Sequence, residues 1–504
     1  MAESGREIVL EILLTLEKGE EYSSRLLKAV LDKYDYLEIR EKAFIKRVTE
    51  GTLERRLELD YYLNGVSGVP VPKMKPLIRS LLRMSVYQML YMDSVPDSAV
   101  CNEACKLAAK RGFGSLRGFV NGVLRNLARK KDRLPKPDRE KEPVSWLSVT
   151  YSMPEWIVRL WLEEYGSRVT ETLLKGLLEI HPISLRFRED LGEDGLREMK
   201  ERMEAAGAAL RESEYLPRLY TLEYSGNITG LPGFAEGMWT VQDVSSALAV
   251  EAAGIRKTDF VLDACAAPGG KTLLAAEKAG KVLSRDISEA KAEQIRENAE
   301  RMRAENVEIQ VRDATCPDPS LQGRADVLLL DVPCSGLGVS GKKRDIKYRV
   351  TPEGILSLTK LQKEILRVCA GYVKPGGILI YSTCTVNRAE NQDMVRFLTR
   401  ELGFVPETLE GSLPERLLEQ KREAERELVR EEGTVSERRN TAAVGKNASR
   451  QQDDAREGQI ASGRRENAPE SELTPEEEAA CIQILPGYME ADGFFIAKLR
   501  RQGV

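Results

Sequence analysis

The sequence predicts a multidomain protein of the α and α/β classes: a helical bundle, a small α+β domain and a doubly wound parallel sheet. Two observations carry this prediction. In the first 140 residues, apolar residues recur every three or four positions and strand-like runs are absent. From about residue 260, short apolar runs alternate with helical segments, as in a parallel sheet covered by helices. A chain of 504 residues is long enough for several such domains.

Amphipathic helices are predicted over 7–16, 24–31, 37–51 and 77–91. Residues 101–130 carry a lopsided charge, since seven basic residues accompany a single acid, Glu103. Such a surface can bind phosphate groups, although a solvated helix face has the same composition. The basic residues are Lys106, Lys110, Arg111, Arg117, Arg125, Arg129 and Lys130.

A polar, proline-bearing linker at 130–143 leads to the second domain. The helix predicted over 151–166 places Trp156, Trp161 and Tyr165 near its apolar face, where core packing is the expected role. Residues 182–190 predict a strand whose Arg186 could contact RNA. The predicted domains cover 1–140, 144–235, and 236–405 together with 477–504.

Four predicted strands of the sheet each lead to an acid: Asp263, Asp286, Asp313 and Asp331. A fifth strand is predicted at 377–381. Ligands of open α/β sheets bind beyond the carboxyl ends of the strands. One acid there is often a helix N-cap. Four in succession suit ribose hydroxyls, an adenine amino group and a cationic methionine group.

The segment VLDACAAPGGKT at 261–272 reads as a strand, a tight loop and a helix. Its glycines allow close approach to the backbone, and free N–H groups at the helix start attract an anion. A Walker A loop is excluded because Cys265 stands where that motif needs glycine, and no G-x-G-x-x-G is present. The loop therefore suits a nucleoside ligand without phosphates, such as S-adenosyl-L-methionine.

Two cysteines follow neighbouring strands, Cys334 in DVPCSG and Cys384 in STCT. Methylation at C5 of cytosine needs a thiolate that adds at C6, an acid beside it, and a group that removes the C5 proton. Asp331, Cys334 and Cys384 supply these residue types. The residues alone do not order the two thiols, because DNA enzymes of the same chemistry place their nucleophile in a Pro-Cys pair.

The composition excludes several other classes. A net charge of −4 argues against a uniformly basic nucleic-acid binder, so any basic surface must be local. Acids within the first seventeen residues argue against a signal peptide, and no apolar run is long enough to span a membrane. Eight cysteines without a C-x-x-C pair, together with one histidine, favour free thiols and no zinc site.

Several motifs together resemble the Sun-type RNA cytosine-C5 methyltransferases, in the bacterial branch that acts on 16S ribosomal RNA. They are DACAAPGGKT, LLLDVPCSGLG, YSTCT and DGFFIAKL. VPDSAVCNEACKLAAK, followed by FVNGVLRNLAR, is similar to the NusB-like RNA-binding domain. The resemblance covers about 1–405 and 481–500. It implies a Rossmann-like class I S-adenosylmethionine-dependent methyltransferase domain behind a NusB-like bundle that grips structured RNA.

By this resemblance Cys384 is the nucleophile and Cys334 assists product release, and Asp331 remains the carboxyl that the chemistry requires beside them. It also implies a set of cofactor contacts at the strand ends. These are Cys265, Ala266, Ala267, Pro268, Gly269, Gly270, Lys271, Asp286, Asp313 and Asp331.

Two departures from the family pattern stand out. In GKKRDIKY, Arg344 occupies a position where proline is usual, in a loop that we expect to contact the target RNA. The second departure is a charged insertion at 406–476, which contains no aromatic residue and too little apolar surface to fold alone. We expect disorder or loose helix over about 418–476, followed by a final strand near 493–499.

The expected function is methylation of C5 of a specific cytosine in 16S ribosomal RNA, with S-adenosyl-L-methionine as methyl donor. Another structured RNA, tRNA or 23S RNA, is the alternative substrate. A non-catalytic RNA-binding scaffold is the alternative of a different class, although a decayed enzyme would be expected to lose its thiols or acids. We expect a cytoplasmic monomer that meets ribosomal RNA before subunit assembly is complete and needs neither membrane nor metal.

Overall fold

The computed structural model of the protein describes residues 4–19, 21–179, 182–224, 226–427 and 473–503. The chain divides into two compact units. A helical unit comprises 1–163, 174–180 and 339–350, and a sheet-containing unit comprises 164–173, 181–338 and 351–504. Among the described residues, no helix is both long and apolar enough to cross a membrane.

The helical unit is the all-α bundle that the sequence predicts. Ser4 caps the first helix by accepting a hydrogen bond from the Glu7 amide. Pro76 is the first residue of the fifth helix, where proline is tolerated because a backbone N–H at this position has no partner within the helix. Trp161 is fully buried, which confirms its predicted place in a core. The helices are α1 (Gly5–Glu17), α2 (Ser23–Lys33), α3 (Ile39–Glu54), α4 (Arg56–Val66), α5 (Pro76–Tyr91), α6 (Asp97–Lys110), α7 (Arg117–Lys130), α8 (Pro143–Tyr151) and α9 (Glu155–Gly176), the last contributing to both units.

The segment 339–350 contains the Arg344 departure and packs within the helical unit. The Arg344 guanidinium pairs with Glu54 at 2.9 Å and with Glu50 at 3.3 Å. The Asp345 carboxylate accepts hydrogen bonds from the amide and the hydroxyl of Ser23, at 3.0 and 2.6 Å. Arg344 is therefore already bound by acids of α3, whereas contact of this loop with RNA stays a prediction.

The second unit begins with a small antiparallel sheet of order β2-β3-β1-β4. Its strands are β1 (Ile183–Phe187), β2 (Ala209–Glu212), β3 (Leu219–Glu223) and β4 (Trp239–Val241), with α10 (Glu193–Ala205) between the first two. Trp239, Phe187 and Leu185 are fully buried in its core. Arg186 on β1 is only 4 % exposed and bonds both carboxylate oxygens of Glu277, so the suggestion that it contacts RNA is wrong.

The main sheet has the order β10-β12-β9-β8-β5-β6-β7, with β11 paired to β12. Strands β9, β8, β5, β6 and β7 are parallel, while β10, β11 and β12 join antiparallel. The strands are β5 (Phe260–Asp263), β6 (Lys281–Asp286), β7 (Val307–Val311), β8 (Ala325–Asp331), β9 (Val373–Thr383), β10 (Phe404–Pro406), β11 (Cys481–Ile484) and β12 (Phe494–Arg501). This order confirms the predicted doubly wound sheet and brings the ends of β5 to β9 to one edge.

Helices α11 (Val244–Ala252), α12 (Gly270–Lys278), α13 (Glu289–Arg301), α14 (Pro352–Cys369) and α15 (Gln392–Glu401) belong to this unit. Residues 415–427 form α16, and α17 covers Pro475–Ala479. The prediction of a disordered insertion is wrong for 406–417, whereas 418–427 are helical, one of the two forms expected from about residue 418. Leu409, Leu413, Leu417 and Leu418 recur at helical spacing and are buried in the core that the sheet shares with α11. Residues 428–472 of the predicted insertion lie outside the described residues, and its last residues lead into α17.

Candidate active site

The loop after β5 forms a tight turn at the carboxyl edge of the sheet. Gly269 has φ +105°, and a side chain there would meet Ile295 at 3.4 Å, so glycine is required. Gly270 opens α12, and the nearest atom to a side chain built there is Gln242 Nε2 at 3.9 Å. Pro268 is exposed and Cys265 half-buried. Within this loop, open space lies beside Gly270, at the start of α12.

Asp286, at the end of β6, supports this loop directly. One carboxylate oxygen accepts the Ala267 amide at 2.9 Å, and the other accepts the Ile287 amide at 2.7 Å. Lys291 also lies 3.0 Å from the carboxylate, which is only 5 % exposed. Asp286 thus shapes the turn, and its predicted contact with a cofactor stays a prediction.

The surroundings of Asp313 and Asp263 change the pKa values of their carboxyl groups in opposite directions. Asp313 lies after β7, and hydrogen bonds from the amide and hydroxyl of Thr315 lower the pKa of its carboxyl. Asp263, at the end of β5, is fully buried, and burial raises its pKa to about 7. Its carboxylate accepts the Thr272 hydroxyl at 2.7 Å. Asp263 therefore belongs to the core and not to the open edge.

Asp331, at the end of β8, holds the centre of the site. Lys271 Nζ lies 2.7 Å from one carboxylate oxygen, and the Ser382 hydroxyl donates to the other at 3.1 Å. Lys271 is 8 % exposed, and its ammonium also lies 5.2 Å from the centre of the Phe494 ring. The sequence places Lys271 among cofactor contacts, but its charged end faces a catalytic candidate.

The two candidate cysteines meet, although 50 residues separate them in the chain. Cys334 Sγ lies 3.3 Å from Cys384 Sγ, neither residue forms a disulfide, and both are half-buried. The hydrogen bond between them and the burial of Cys334 raise the pKa of Cys334 well above its usual value. The two thiols therefore form one hydrogen-bonded pair at this edge of the sheet.

Three backbone segments, at Gly338, Cys384 and Gly493, lie close together and support the loop that contains Cys384 (the Cys384 loop). The Gly338 amide donates to the Cys384 carbonyl at 3.1 Å, and the Gly493 amide donates to the Gly338 carbonyl at 3.0 Å. A side chain on Gly338 would meet the Gly493 carbonyl at 2.1 Å, and one on Gly493 would meet the Gly338 Cα at 2.6 Å. The glycine of the DGFFIAKL motif is thus explained by this close approach.

Sequence reasoning missed a buried polar group beside the thiols. Glu390 is fully buried and bonds Ser335, which follows Cys334. Its signal in the sequence is weak, because an isolated glutamate six residues after Cys384 has no periodic or motif context. In the described part of the chain, no cluster of three or more histidine, cysteine or acidic side chains could hold a metal.

The basic residues of 101–130 divide into two groups. On α6, Lys106 bonds Glu103 at 2.8 Å and Lys110 bonds Glu7 at 2.6 Å, and Arg111, which directly follows this helix, pairs with Glu11. The segment itself contains one acid, and α1 supplies two more from outside it. The α7 residues are exposed and have no ion pair with any described residue: Arg117, Arg125, Arg129 and Lys130.

Comparisons with known proteins agree with this architecture. Residues 252–409 match the family described as 16S rRNA methyltransferase RsmB/F, and residues 3–129 match the NusB family. The chain is 33% identical to the probable ribosomal RNA small subunit methyltransferase B of Bacillus subtilis, over 99% of both chains. It is 30% identical to the ribosomal RNA small subunit methyltransferase B of Proteus mirabilis, over 77% of this chain and 89% of the relative.

Solved structures share the fold at lower identity. The crystal structure of PH0851 superposes with a TM-score of 0.72 at 22% identity and covers 99% of this chain and 100% of that one. The structure of NSun6 from Pyrococcus horikoshii with SFG gives a TM-score of 0.50 at 18% identity, over 69% of this chain and 98% of that one. These structures support the fold alone, whereas the Bacillus subtilis relative matches in sequence over almost the whole chain. The chain belongs to the RsmB/F family of methyltransferases, with a NusB-family domain at its amino terminus.

Proposed function

We propose that this protein transfers the methyl group of S-adenosyl-L-methionine to C5 of a specific cytosine in 16S ribosomal RNA. The observation that carries the proposal is the 3.3 Å approach of Cys334 Sγ and Cys384 Sγ, at the edge where β8 ends in Asp331. Two thiols and a carboxyl group at one sheet edge match what addition to C6, methylation at C5 and elimination require. The names of relatives that match most of the chain support a small-subunit ribosomal RNA as the substrate.

Cys384 is the proposed nucleophile that bonds to C6 of the cytosine. This assignment rests on the place of Cys384 in the STCT motif, directly after β9, and on the family resemblance of that motif. Attack at C6 moves electron density to C5, which becomes nucleophilic enough to take a methyl group. Bound S-adenosyl-L-methionine supplies that group as an electrophilic methyl on a sulfonium.

Cys334 and Asp331 serve the two proton steps. After methylation, C5 carries both a proton and a methyl group, and the enzyme sulfur leaves only when that proton is removed. Cys334 lies beside Cys384 and is placed to accept or relay the proton. Asp331, held by Lys271 and Ser382, is the proposed acid at N3 of the base: N3 takes a proton as the C6–S bond forms and returns it when the enzyme sulfur leaves.

The edge formed by β5 to β8 is the proposed binding place for S-adenosyl-L-methionine. The open backbone at Gly270 leaves room against the start of α12, where free N–H groups attract a carboxylate. Asp286 and Asp313 follow the next two strands, in the order that a ribose and an adenine need. Asp263 takes no part in this site because it is fully buried.

The exposed side of α7 is the proposed RNA-binding face. It presents Arg117, Arg125 and Arg129 without ion-pair partners among the described residues. Gly118 and Gly122 lie on the same side, and a side chain on either would meet nothing within 4 Å. Two glycines inside an exposed helix each cost roughly 1 kcal/mol relative to alanine, so packing gives no reason for them. Their absence of side chains lets a phosphate backbone approach closely.

Sequencing of ribosomal RNA after bisulfite treatment tests the proposal. RNA from cells with this gene should retain one cytosine in 16S RNA that converts in cells without the gene. Complementation by the wild-type gene should restore the protected cytosine. Protection of a position in tRNA or 23S RNA instead would select the alternative substrate, and no gene-dependent protection in any RNA would refute C5 methylation.

A further inference from the structure

Glu390 is a fully buried carboxylate beside the Cys334 loop. Its Oε1 accepts the backbone N–H of Ser335 at 2.8 Å, and its Oε2 accepts the Ser335 hydroxyl at 2.6 Å. Ser335 directly follows Cys334. The Glu390 carboxylate therefore fixes both the backbone and the side chain of Ser335, the residue next to Cys334.

The same carboxylate reaches the Cys384 loop through Ser335. The Ser335 hydroxyl lies 2.7 Å from the Thr385 hydroxyl, and Thr385 directly follows Cys384. A serine hydroxyl has one proton, which Ser335 donates to Glu390, so Thr385 is the donor in the second hydrogen bond. The three groups form a chain that joins the residues following the two thiols.

Two amides complete the carboxylate's surroundings and extend its reach. Gln362 Nε2 donates to Glu390 at 3.2 Å and to the Pro333 carbonyl at 2.9 Å. Asn387 Nδ2 donates to the other Glu390 oxygen at 3.2 Å. Because Pro333 precedes Cys334, the residues on both sides of this thiol are tied to the same network.

Stability alone is a poor reason for a charge at this place. Burial raises the pKa of Glu390, while the hydrogen bonds from Ser335, Gln362 and Asn387 oppose that change. A buried charge with its partners is often no more stable than apolar residues of similar volume. Unlike apolar residues, the carboxylate accepts hydrogen bonds, and these bonds fix the positions of the groups that donate to it.

We propose that Glu390 is a positioning residue that holds the two cysteine loops so that Cys334 Sγ and Cys384 Sγ stay in contact. The proposal rests on the proposed function, in which one thiol attacks and its neighbour serves the release step. Glu390 acts through Ser335 and Thr385, since its contacts with the loops are made to these side chains and to the backbone.

The approach of the two thiols can be measured without any methyl transfer. Oxidised glutathione converts the two thiols to a disulfide and is itself reduced to two reduced glutathione molecules, so the equilibrium constant gives the effective concentration of one thiol at the other. Peptide mass spectrometry identifies the Cys334–Cys384 pair among the other cysteines. Glu390→Ala should lower this effective concentration by roughly 10- to 100-fold, which corresponds to removal of one hydrogen bond to a charged group.

Glu390→Gln should recover part of this decrease, because its amide oxygen can still accept the Ser335 N–H. Glu477→Ala is the matched control: Glu477 is a buried glutamate of the same unit whose partners are Thr399 and Thr474. Thermal unfolding reports whether each variant is folded. A folded Glu390→Ala protein with the wild-type equilibrium constant, or a Glu477→Ala protein with the same decrease, would overturn the proposal.

If Glu390→Ala does not fold, Glu390→Gln and Ser335→Ala carry the test. Both should lower the effective concentration, and wild-type values in both would overturn the proposal. In methyl transfer, Glu390→Ala should lower kcat while the KM for RNA stays constant, with partial rescue by Glu390→Gln. The glutathione measurement uses neither RNA nor methyl donor. Its result therefore tests the role of Glu390 even if the protein methylates a different RNA or a different atom.

Discussion

The two cysteine loops and helix α7 carry the two halves of the proposed function, and they differ in how their polar groups are held. Around the cysteines, Asp331 bonds both Lys271 and Ser382, and Ser335 bonds Glu390. On α7, the arginines extend into solvent without ion-pair partners among the described residues. Groups that move protons or electrons need a fixed geometry, whereas groups that neutralise a polyanion need to be free to follow it.

Removal of the nucleophile has the largest expected effect. Cys384→Ala should lower methyl transfer by at least about 1,000-fold, because the variant lacks the sulfur that is assigned to form the bond to C6. Binding of S-adenosyl-L-methionine should stay near the wild-type value, as the proposed cofactor edge lies on β5 to β8. Transfer of labelled methyl groups to ribosomal RNA and a binding titration give the two quantities. Turnover near the wild-type rate would remove Cys384 from the mechanism.

Charge removal on α7 should have the next largest effect. Arg125→Gln with Arg129→Gln should weaken RNA binding, because fewer counterions leave the RNA when fewer phosphates are neutralised. The slope of log affinity against log salt should fall by about 0.7–0.9 for each phosphate that the variant no longer neutralises. A binding titration at several salt concentrations measures this slope.

The matched control removes the same charge from the end of α6. Lys110→Gln with Arg111→Gln should leave the salt slope almost unchanged, because these side chains already pair with Glu7 and Glu11. Its main effect should be a small decrease in the stability of the helical unit. Equal salt slopes for the two double variants would contradict this account, because the ion pairs with Glu7 and Glu11 would then not keep Lys110 and Arg111 from binding RNA.

Asp263 gives a pH dependence that distinguishes the core from the open site. Its pKa of about 7 exceeds the usual value of 3.8, so between about pH 4 and 7 the folded state holds a proton that the unfolded chain releases. The free energy of unfolding should therefore fall as pH rises through this window. Asp263→Asn should remove this contribution, as measured by urea unfolding across the window. The same pH dependence in both proteins would contradict the buried, protonated carboxyl.

Arg344 should show the smallest effect. Arg344→Ala breaks half-exposed ion pairs with Glu50 and Glu54, so the stability of the helical unit should decrease by about 1 kcal/mol or less. High salt should shrink the difference between the variant and the wild type. A large decrease in RNA affinity with unchanged stability would instead support the predicted contact of this loop with RNA.

The sequence predicts the sheet and the place of the cysteines because both depend on local patterns. Strand–loop–helix units repeat from residue 260, and parallel strands bring Cys334 and Cys384 to one edge whatever their separation in the chain. The order of the acids Asp286, Asp313 and Asp331 follows from the same rule. Their surroundings do not, which is why Asp263 reads like the others and proves to be buried.

The missed features depend on residues distant in sequence. The partners of Lys110 and Arg111 lie on α1, about a hundred residues earlier, and no local pattern of charge marks them. Glu390 is similarly defined by Ser335, 55 residues before it. The folded part of the insertion is masked by its charge, because four leucines at helical spacing decide its burial while acids and bases dominate its composition.

Trapping of the covalent intermediate tests the roles of the two thiols most directly. Each variant is incubated with S-adenosyl-L-methionine and labelled 16S RNA and run on a denaturing gel. In Cys334→Ala, Cys384 should form the bond to C6 and the base should take the methyl group. The reaction should then stop before the sulfur leaves, so that a protein–RNA conjugate remains. Cys384→Ala should leave none. A conjugate with Cys384→Ala and none with Cys334→Ala would contradict the assignment and make Cys334 the nucleophile.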